Sequence, residues 1–304
     1  SLQNTPATTT ANITAKSLNA SYTGSNTAPT LSDYANAGVT GVTSGNIAAI
    51  NSALAGLDSA ATDTLAEVQT VVDAYVAVLS AANAGTAPTL AQLQALGVTG
   101  VVAENLASVQ AAIVATADDG TDVDTLGELQ SVVTTATAAA TSAAQSAISG
   151  YDGTGTAPTL SDYALAGVTG VTVSNLDAIN SAIASFPSGS TDSPSEIQAV
   201  VSAYSAVLSA ANAGTAPTLA QLQTLGLTGV TADNLSSVQA AVEATANDGC
   251  GVDTLSELQS VVSAGVTAAT TASQSAISGY DGTGTAPTIR DYAQPGVTGV
   301  TRGN

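Results

Sequence analysis

Few residues in this chain could do chemistry, and the densest group lies in one loop. Asp118-Asp119-Gly120-Thr121-Asp122-Val123-Asp124 places four carboxylates within seven positions. Clustered oxygens on a turn suit a hard cation such as calcium, which makes Asp118, Asp119, Asp122 and Asp124 the candidate metal ligands. The spacing is not that of an EF-hand, because the Glu at the twelfth position and the full ladder of ligands are absent. The plainer reading, which the residues favour, is a helix start dressed with acids that complement its dipole. A matching loop at Asn247–Asp253 loses two of the carboxylates.

Other routes to catalysis are closed or weak. The chain has no histidine, so nucleophilic catalysis with an imidazole base is excluded. Paired carboxylates sit almost entirely at recurring helix caps. Tyr151-Asp152-Gly153-Thr154-Gly155 is glycine-rich but lacks the lysine and the strand of a phosphate loop, and reads as a linker turn. Cys250 stands alone, aligned with Thr121, with no base nearby; it is an incidental thiol, with an intermolecular disulfide as the alternative. Asn12, Asn19 and Asn234 each begin a glycosylation sequon, a short match that arises by chance in chains rich in Ser and Thr. No catalytic residue is assigned, and the chain reads as a non-enzyme.

Charge narrows the partners. The 304 residues carry a formal charge of −20, with Lys16, Arg290 and Arg302 the only cations. Three cations near the chain ends cannot line a groove for phosphates, which excludes nucleic acid; an anionic membrane surface would repel the molecule. No run of about 18 apolar residues suggests a membrane span. Ser1-Leu2-Gln3-Asn4 does not open a targeting peptide.

The elements that hold these residues are set by a repeat. Thr-Ala-Pro-Thr begins at Thr27, Thr86, Thr156, Thr215 and Thr285, so two sub-repeats of 59 and 70 residues alternate within a 129-residue super-repeat. All eight tyrosines keep that phase: Tyr22, Tyr151 and Tyr280; Tyr34, Tyr163 and Tyr292; Tyr75 and Tyr204. A tyrosine returning at one phase is a packing element. The boundaries are an N-terminal segment 1–26 (the degenerate end of a third helix), repeat A1 at 27–85, B1 at 86–155, A2 at 156–214, B2 at 215–284 and a partial A3 at 285–304.

Each sub-repeat carries three helical signals. A short first helix follows Thr30, Thr89 or Thr218, each with Asp or Gln three residues on, and ends at Gly38, Gly97, Gly167 or Gly226. The preceding prolines hold the approach extended. A Val-Thr-Gly-Val turn leads to a second helix striped by Ile47, Ile50, Leu54 and Leu57. The third helix begins at capping boxes on Thr64, Thr125, Ser193 and Thr254; from Thr125 to Ser149 it would run roughly 38 Å at about 1.5 Å per residue. The expected fold is all-α: tandem three-helix-bundle repeats forming an elongated rod or solenoid, each unit marginal alone and stabilised by its neighbours. Asn304 falls in the phase of Asn46, which predicts either a fragment of a longer array or end-to-end contacts between molecules.

Gly-Thr-Ala-Pro-Thr-Leu-Ala-Gln-Leu-Gln (85–94), Gly-Val-Thr-Gly-Val-Thr (167–172) and Asp-Thr-Leu-Ser-Glu-Leu-Gln-Ser-Val-Val (253–262) resemble the helical repeats of very large secreted and surface proteins of bacteria. The resemblance covers nearly all of the chain beyond its first twenty residues. It implies an extracellular or cell-surface scaffold: a repeat spacer or stalk of an adhesin, or a subunit of an extracellular, biofilm-type filament. Its partners would be neighbouring repeats or other copies of itself. The alternative is a three-helix protein-binding module, which should display aromatic or arginine anchors on one face; this chain has few.

Overall fold

The computed structural model describes residues 21–83, 85–116, 122–212, 214–245 and 251–301. These form thirteen α-helices and two short 3-10 turns, with no strand among the described residues. The protein is all-α. It divides into two compact units, Ser1–Thr141 and Ser142–Asn304.

The first unit contains α1 (Leu31–Ala37), α2 (Ile47–Gly56), α3 (Leu65–Ala82), α4 (Leu90–Ala95), α5 (Leu106–Val114) and the start of α6 (Leu126–Ser149). The second contains the end of α6, then α7 (Leu160–Leu165), α8 (Leu176–Ala184), α9 (Pro194–Ala211), α10 (Leu219–Thr224), α11 (Leu235–Glu243), α12 (Leu255–Ser278) and α13 (Ile289–Ala293). The helix starts follow from hydroxyl caps. At Thr64 the side-chain oxygen accepts from the Glu67 N–H at 3.3 Å, and the Glu67 carboxylate accepts from the Thr64 N–H at 2.9 Å. The same reciprocal pair closes α1, α4, α6, α7, α9, α10, α12 and α13, with Pro194 in the first turn of α9. Each cap satisfies N–H groups that the first helical turn leaves without partners. Glycine ends the short helices because the chain turns left-handed there, with φ of 88° at Gly38 and 77° at Gly167.

Within each unit the core joins two sub-repeats. In the first, Tyr34, Ile50, Leu54, Val68, Val72 and Tyr75 of A1 share one cluster with Leu93, Val109, Ile113, Val123, Leu129 and Val133 of B1. The long α3 packs on α2, α4 and α5, so it is the axis of that cluster. In the second unit α9 plays the same part against α8, α10 and α11, and α12 reaches back to α8. The backbone N–H of Leu126 donates to Ser52 Oγ at 3.1 Å, and that of Leu255 to Ser181 Oγ at 3.3 Å. A first-turn N–H of the B helix is thereby satisfied by the A sub-repeat before it. The packing body is therefore a pair of sub-repeats. Burying each large apolar side chain of such a core contributes about 1.5–3 kcal/mol, which a lone three-helix unit would collect too rarely.

Among the described residues, α3 alone is long and apolar enough to cross a membrane by length and composition. Alanine and valine carry its average, and its Val68, Val71, Val72, Tyr75 and Val78 side chains are buried in the core.

Candidate functional site

The polar groups that recur most strictly form stations that fasten the helices. In A1, the Tyr34 hydroxyl donates to Asn51 Oδ1 at 2.6 Å, and Asn51 Nδ2 donates to the Pro29 carbonyl at 3.1 Å. A2 repeats this with Tyr163, Asn180 and Pro158 at 2.7 and 2.9 Å. In the B sub-repeats Leu93 and Leu222 take the tyrosine place, and Gln110 and Gln239 reach Pro88 and Pro217, both at 2.9 Å.

A second station clamps the Val-Thr-Gly-Val turn onto the third helix. Gln69 Oε1 accepts from the Thr40 N–H at 2.8 Å while Gln69 Nε2 donates to the Thr40 carbonyl at 3.0 Å. Gln130 on Thr99, Gln198 on Thr169 and Gln259 on Thr228 do the same. One primary amide thus imitates a backbone partner, meeting a donor and an acceptor together. A third station holds the turn from within: Asn46 accepts from the Thr43 N–H at 2.7 Å and donates to the Gly41 carbonyl at 2.9 Å. Asn105, Asn175 and Asn234 repeat it. The fourth joins A to B, with Tyr75 donating to the Val123 carbonyl at 2.9 Å and Tyr204 to the Val252 carbonyl at 2.8 Å.

These tyrosines are held neutral. Burial is the main cause that raises the pKa of Tyr34, Tyr75, Tyr163 and Tyr204 above the ordinary phenol value. Nearby charges add to it: Tyr22 and Asp33 for Tyr34, Asp124 and Glu128 for Tyr75. A buried, neutral, hydrogen-bonded phenol is a packing group rather than an acid or a nucleophile.

Of the candidate calcium ligands, Asp118 and Asp119 lie outside the described residues, as does Cys250. Asp122 is exposed and Asp124 half-buried. Asp124 precedes the Thr125 box as Asp63, Asp192 and Asp253 precede theirs, so its place is explained by a helix start that every sub-repeat has. No group of three or more His, Cys, Asp or Glu able to hold a metal is found among the described residues.

At the Thr64 cap the neighbouring carboxylates Asp63 and Glu67 are pushed in opposite directions. A hydrogen bond with Glu67, and its charge, raise Asp63, whereas the Thr64 hydroxyl and N–H are the main causes that lower Glu67. Asp192 and Glu196 repeat this beside Ser193. Both pairs sit at a helix cap, with Asp63, Asp192 and Glu196 exposed and Glu67 half-buried. The linker turn is built by Asp152, whose carboxylate accepts from the Thr154 N–H at 3.0 Å and hydroxyl at 2.6 Å, which lowers its pKa; Asp281 and Thr283 repeat it. At the Asn234 sequon the asparagine is 3% exposed and its Nδ2, the atom a glycan would need, donates to the Gly229 carbonyl at 2.8 Å. The folded chain therefore hides that acceptor.

Two clefts remain. One of about 430 Å³ lies beside α11, α12 and α13, with Asp233, Ser236, Ser273, Arg290 and Asp291 on its walls. Two of its charged side chains are engaged: Arg290 donates to the Asp233 carbonyl and to Ser236 Oγ, and the Asp291 carboxylate accepts from the Thr288 N–H and hydroxyl, both at 2.7 Å. Those Thr288 bonds lower the pKa of Asp291. The other, of about 290 Å³, is lined by Thr43, Asn46, Val76, Leu79, Ser80 and Asn83 and carries no charged group.

Sequence reasoning located the caps, the terminal glycines and the packing tyrosines. It missed the Asn and Gln stations, whose signal was available: Asn46, Asn105, Asn175 and Asn234, and Gln69, Gln130, Gln198 and Gln259, keep the repeat phase as strictly as the tyrosines do. Compared with known protein families, curated proteins and solved structures, the chain matches none.

Proposed function

We propose that this chain is a structural extracellular scaffold, a repeat spacer or stalk of a surface adhesin or a subunit of an extracellular filament, and that it performs no reaction. One observation carries the reading: the polar groups that return with every sub-repeat are consumed in fastening that sub-repeat, to a proline carbonyl, a turn or the next loop. What such stations provide is a length of chain that holds its form when repeated. The acidic surface keeps like chains soluble and resists nonspecific docking. On this reading the paired sub-repeats follow one another as an elongated rod or solenoid.

Small-angle scattering with negative-stain imaging tests it. A compact single body of 304 residues would have a radius of gyration of about 19 Å. A markedly larger radius and rod-like particles are expected. A radius near the compact value would overturn the proposal.

A further inference from the structure

One cleft and one unpaired hydroxyl fall at the same place in the repeat. In A1 the cleft of about 290 Å³ lies between the residues that follow the Val-Thr-Gly-Val turn and the last two turns of α3. Val76 and Leu79 supply an aliphatic wall, and Thr43 and Ser80 bring hydroxyls. In A2 the same places hold Leu208, Thr172 and Ser209, but three positions change: Ser205 replaces Val76, Val173 replaces Ser44 and Ser174 replaces Gly45. Ser205 Oγ is buried and has no hydrogen-bond partner among the described residues. Other helical hydroxyls donate to the carbonyl four residues back, as Thr70 does to Ala66 and Ser263 to Gln259, both at 2.8 Å. The change also removes bulk beneath the turn. A Cβ at Gly41 would meet Val72 at 3.6 Å and Val76 at 3.9 Å, whereas one at Gly170 would meet Val201 alone, at 3.9 Å. At the rim Val173 is 84% exposed, so it contributes nothing to the core, and beside it Thr172 Oγ1 and Ser174 Oγ stand 3.0 Å apart. The B sub-repeats have Ala140 and Ala269 in place of Leu79, and their third helix runs on, so the feature belongs to A.

We propose that this place in A2 is a binding site for one neutral sugar ring, a pyranose residue. The class follows from what the walls can and cannot satisfy. A cation would find no carboxylate at any of these A2 positions, and a chain of formal charge −20 repels an anion. A purely apolar ligand would leave the Ser205 hydroxyl buried without a partner, which costs free energy. A ring that carries several hydroxyls on an aliphatic frame meets every group at once. Its hydroxyls both donate and accept, as do Ser205, Thr172 and Ser209, and its C–H face lies against Leu208 and under the exposed Val173. The A1 cleft, at about 290 Å³, stands at the small end of ligand clefts, which suits a single ring. Ser205 is outside the set of polar groups that fasten the fold, because the matching residues are Val76, Thr137 and Val266. A hydroxyl is therefore placed where the repeat does without one.

The test is calorimetry and saturation-transfer NMR of the full chain with methyl α-glucoside, methyl α-mannoside and methyl β-galactoside as probes. Saturable binding of at least one of them is expected, with a dissociation constant on the order of 1 mM, as a ligand this small permits. Ser205→Val installs the residue that A1 carries and should weaken binding at least about tenfold with the circular dichroism unchanged. Val173→Ser should weaken it about threefold. Conversely, Val76→Ser combined with Ser44→Val and Gly45→Ser should give A1 a second site, and a Cβ at Gly45 would meet only Thr43 Oγ1, at 3.8 Å. Absence of saturable binding by all three probes overturns the proposal, as does binding that Ser205→Val leaves intact, or a folded triple variant without the second site. A column of the neutral polysaccharide built from the sugar that binds separates the two sources: retention assigns the ring to a polymer, and passage assigns it to a free sugar. None of these results bears on the scaffold reading, which particle length decides.

Discussion

The A and B sub-repeats close the same socket with different chemistry. In A2 a buried phenol, an asparagine and a proline carbonyl form a relay, with Tyr163 and Asn180 both deeply buried. In B2 a leucine fills the volume, and Gln239, one methylene longer, reaches the proline carbonyl without help. What persists is the satisfied carbonyl; the side chains that achieve it are interchangeable in pairs. A repeat is therefore conserved here at the level of hydrogen-bond accounting, with residue identity free to vary where two positions change together.

The comparison is most easily broken at Asn180. Asn180→Leu would leave the Tyr163 hydroxyl and the Pro158 carbonyl both unpaired in the core, with an expected loss of about 2–5 kcal/mol. Gln239→Leu strands only one group, the Pro217 carbonyl, and should lose about 1–2 kcal/mol. Denaturant unfolding of the two variants measures the gap, and equal losses would contradict the relay.

Next in size is a contrast between B1 and B2. Gly265 stands where B1 has Ala136, and a Cβ there would lie 2.7 Å from Val238 Cα. Gly265→Ala should destabilise the second unit by about 1–3 kcal/mol although alanine is native at the matching position, because the backbones of α11 and α12 meet there. Calorimetry would show a lowered transition.

Alkali probes the tyrosines. With folded pKa values raised above the unfolded value of about 10, stability is fully present below that pH and falls as pH rises above it, because only the unfolded chain releases its phenol protons. The slope should reach about 1.4 kcal/mol per pH unit for each tyrosine in the unfolding body. Tyr34→Phe and Tyr163→Phe should each lower it by one proton, measured by urea titrations at several pH values. A slope that neither substitution lowers would refute the assignment.

The smallest effect sharpens the comparison most. Tyr163→Leu combined with Asn180→Gln turns an A socket into a B socket and should recover most of the loss caused by Asn180→Leu. A double-mutant cycle reads the coupling.

Much of this was legible in the residues. Thr64 with Glu67, Pro194, Gly38 and the phase of Tyr34 each point to a local event within a few residues, and local chemistry fixes such events. The bond from Tyr75 to Val123 spans 48 positions and that from Leu126 to Ser52 spans 74. A period announces that equivalent bonds recur, but it does not say which neighbour receives them, so the pairing of sub-repeats emerged only from packing. The acidic loop illustrates the opposite hazard. Asp124 looks like part of a cluster when read along 118–124, and like a cap residue when read against Asp63, Asp192 and Asp253.

The glutamine clamp has a wider consequence. Its donor and acceptor are neutral, so neither counterions nor acid can loosen it within the range that titrates carboxylates. Added electrolyte would act chiefly by quieting the repulsion among the acidic side chains outside. Such fastenings would hold equally at low and at high ionic strength.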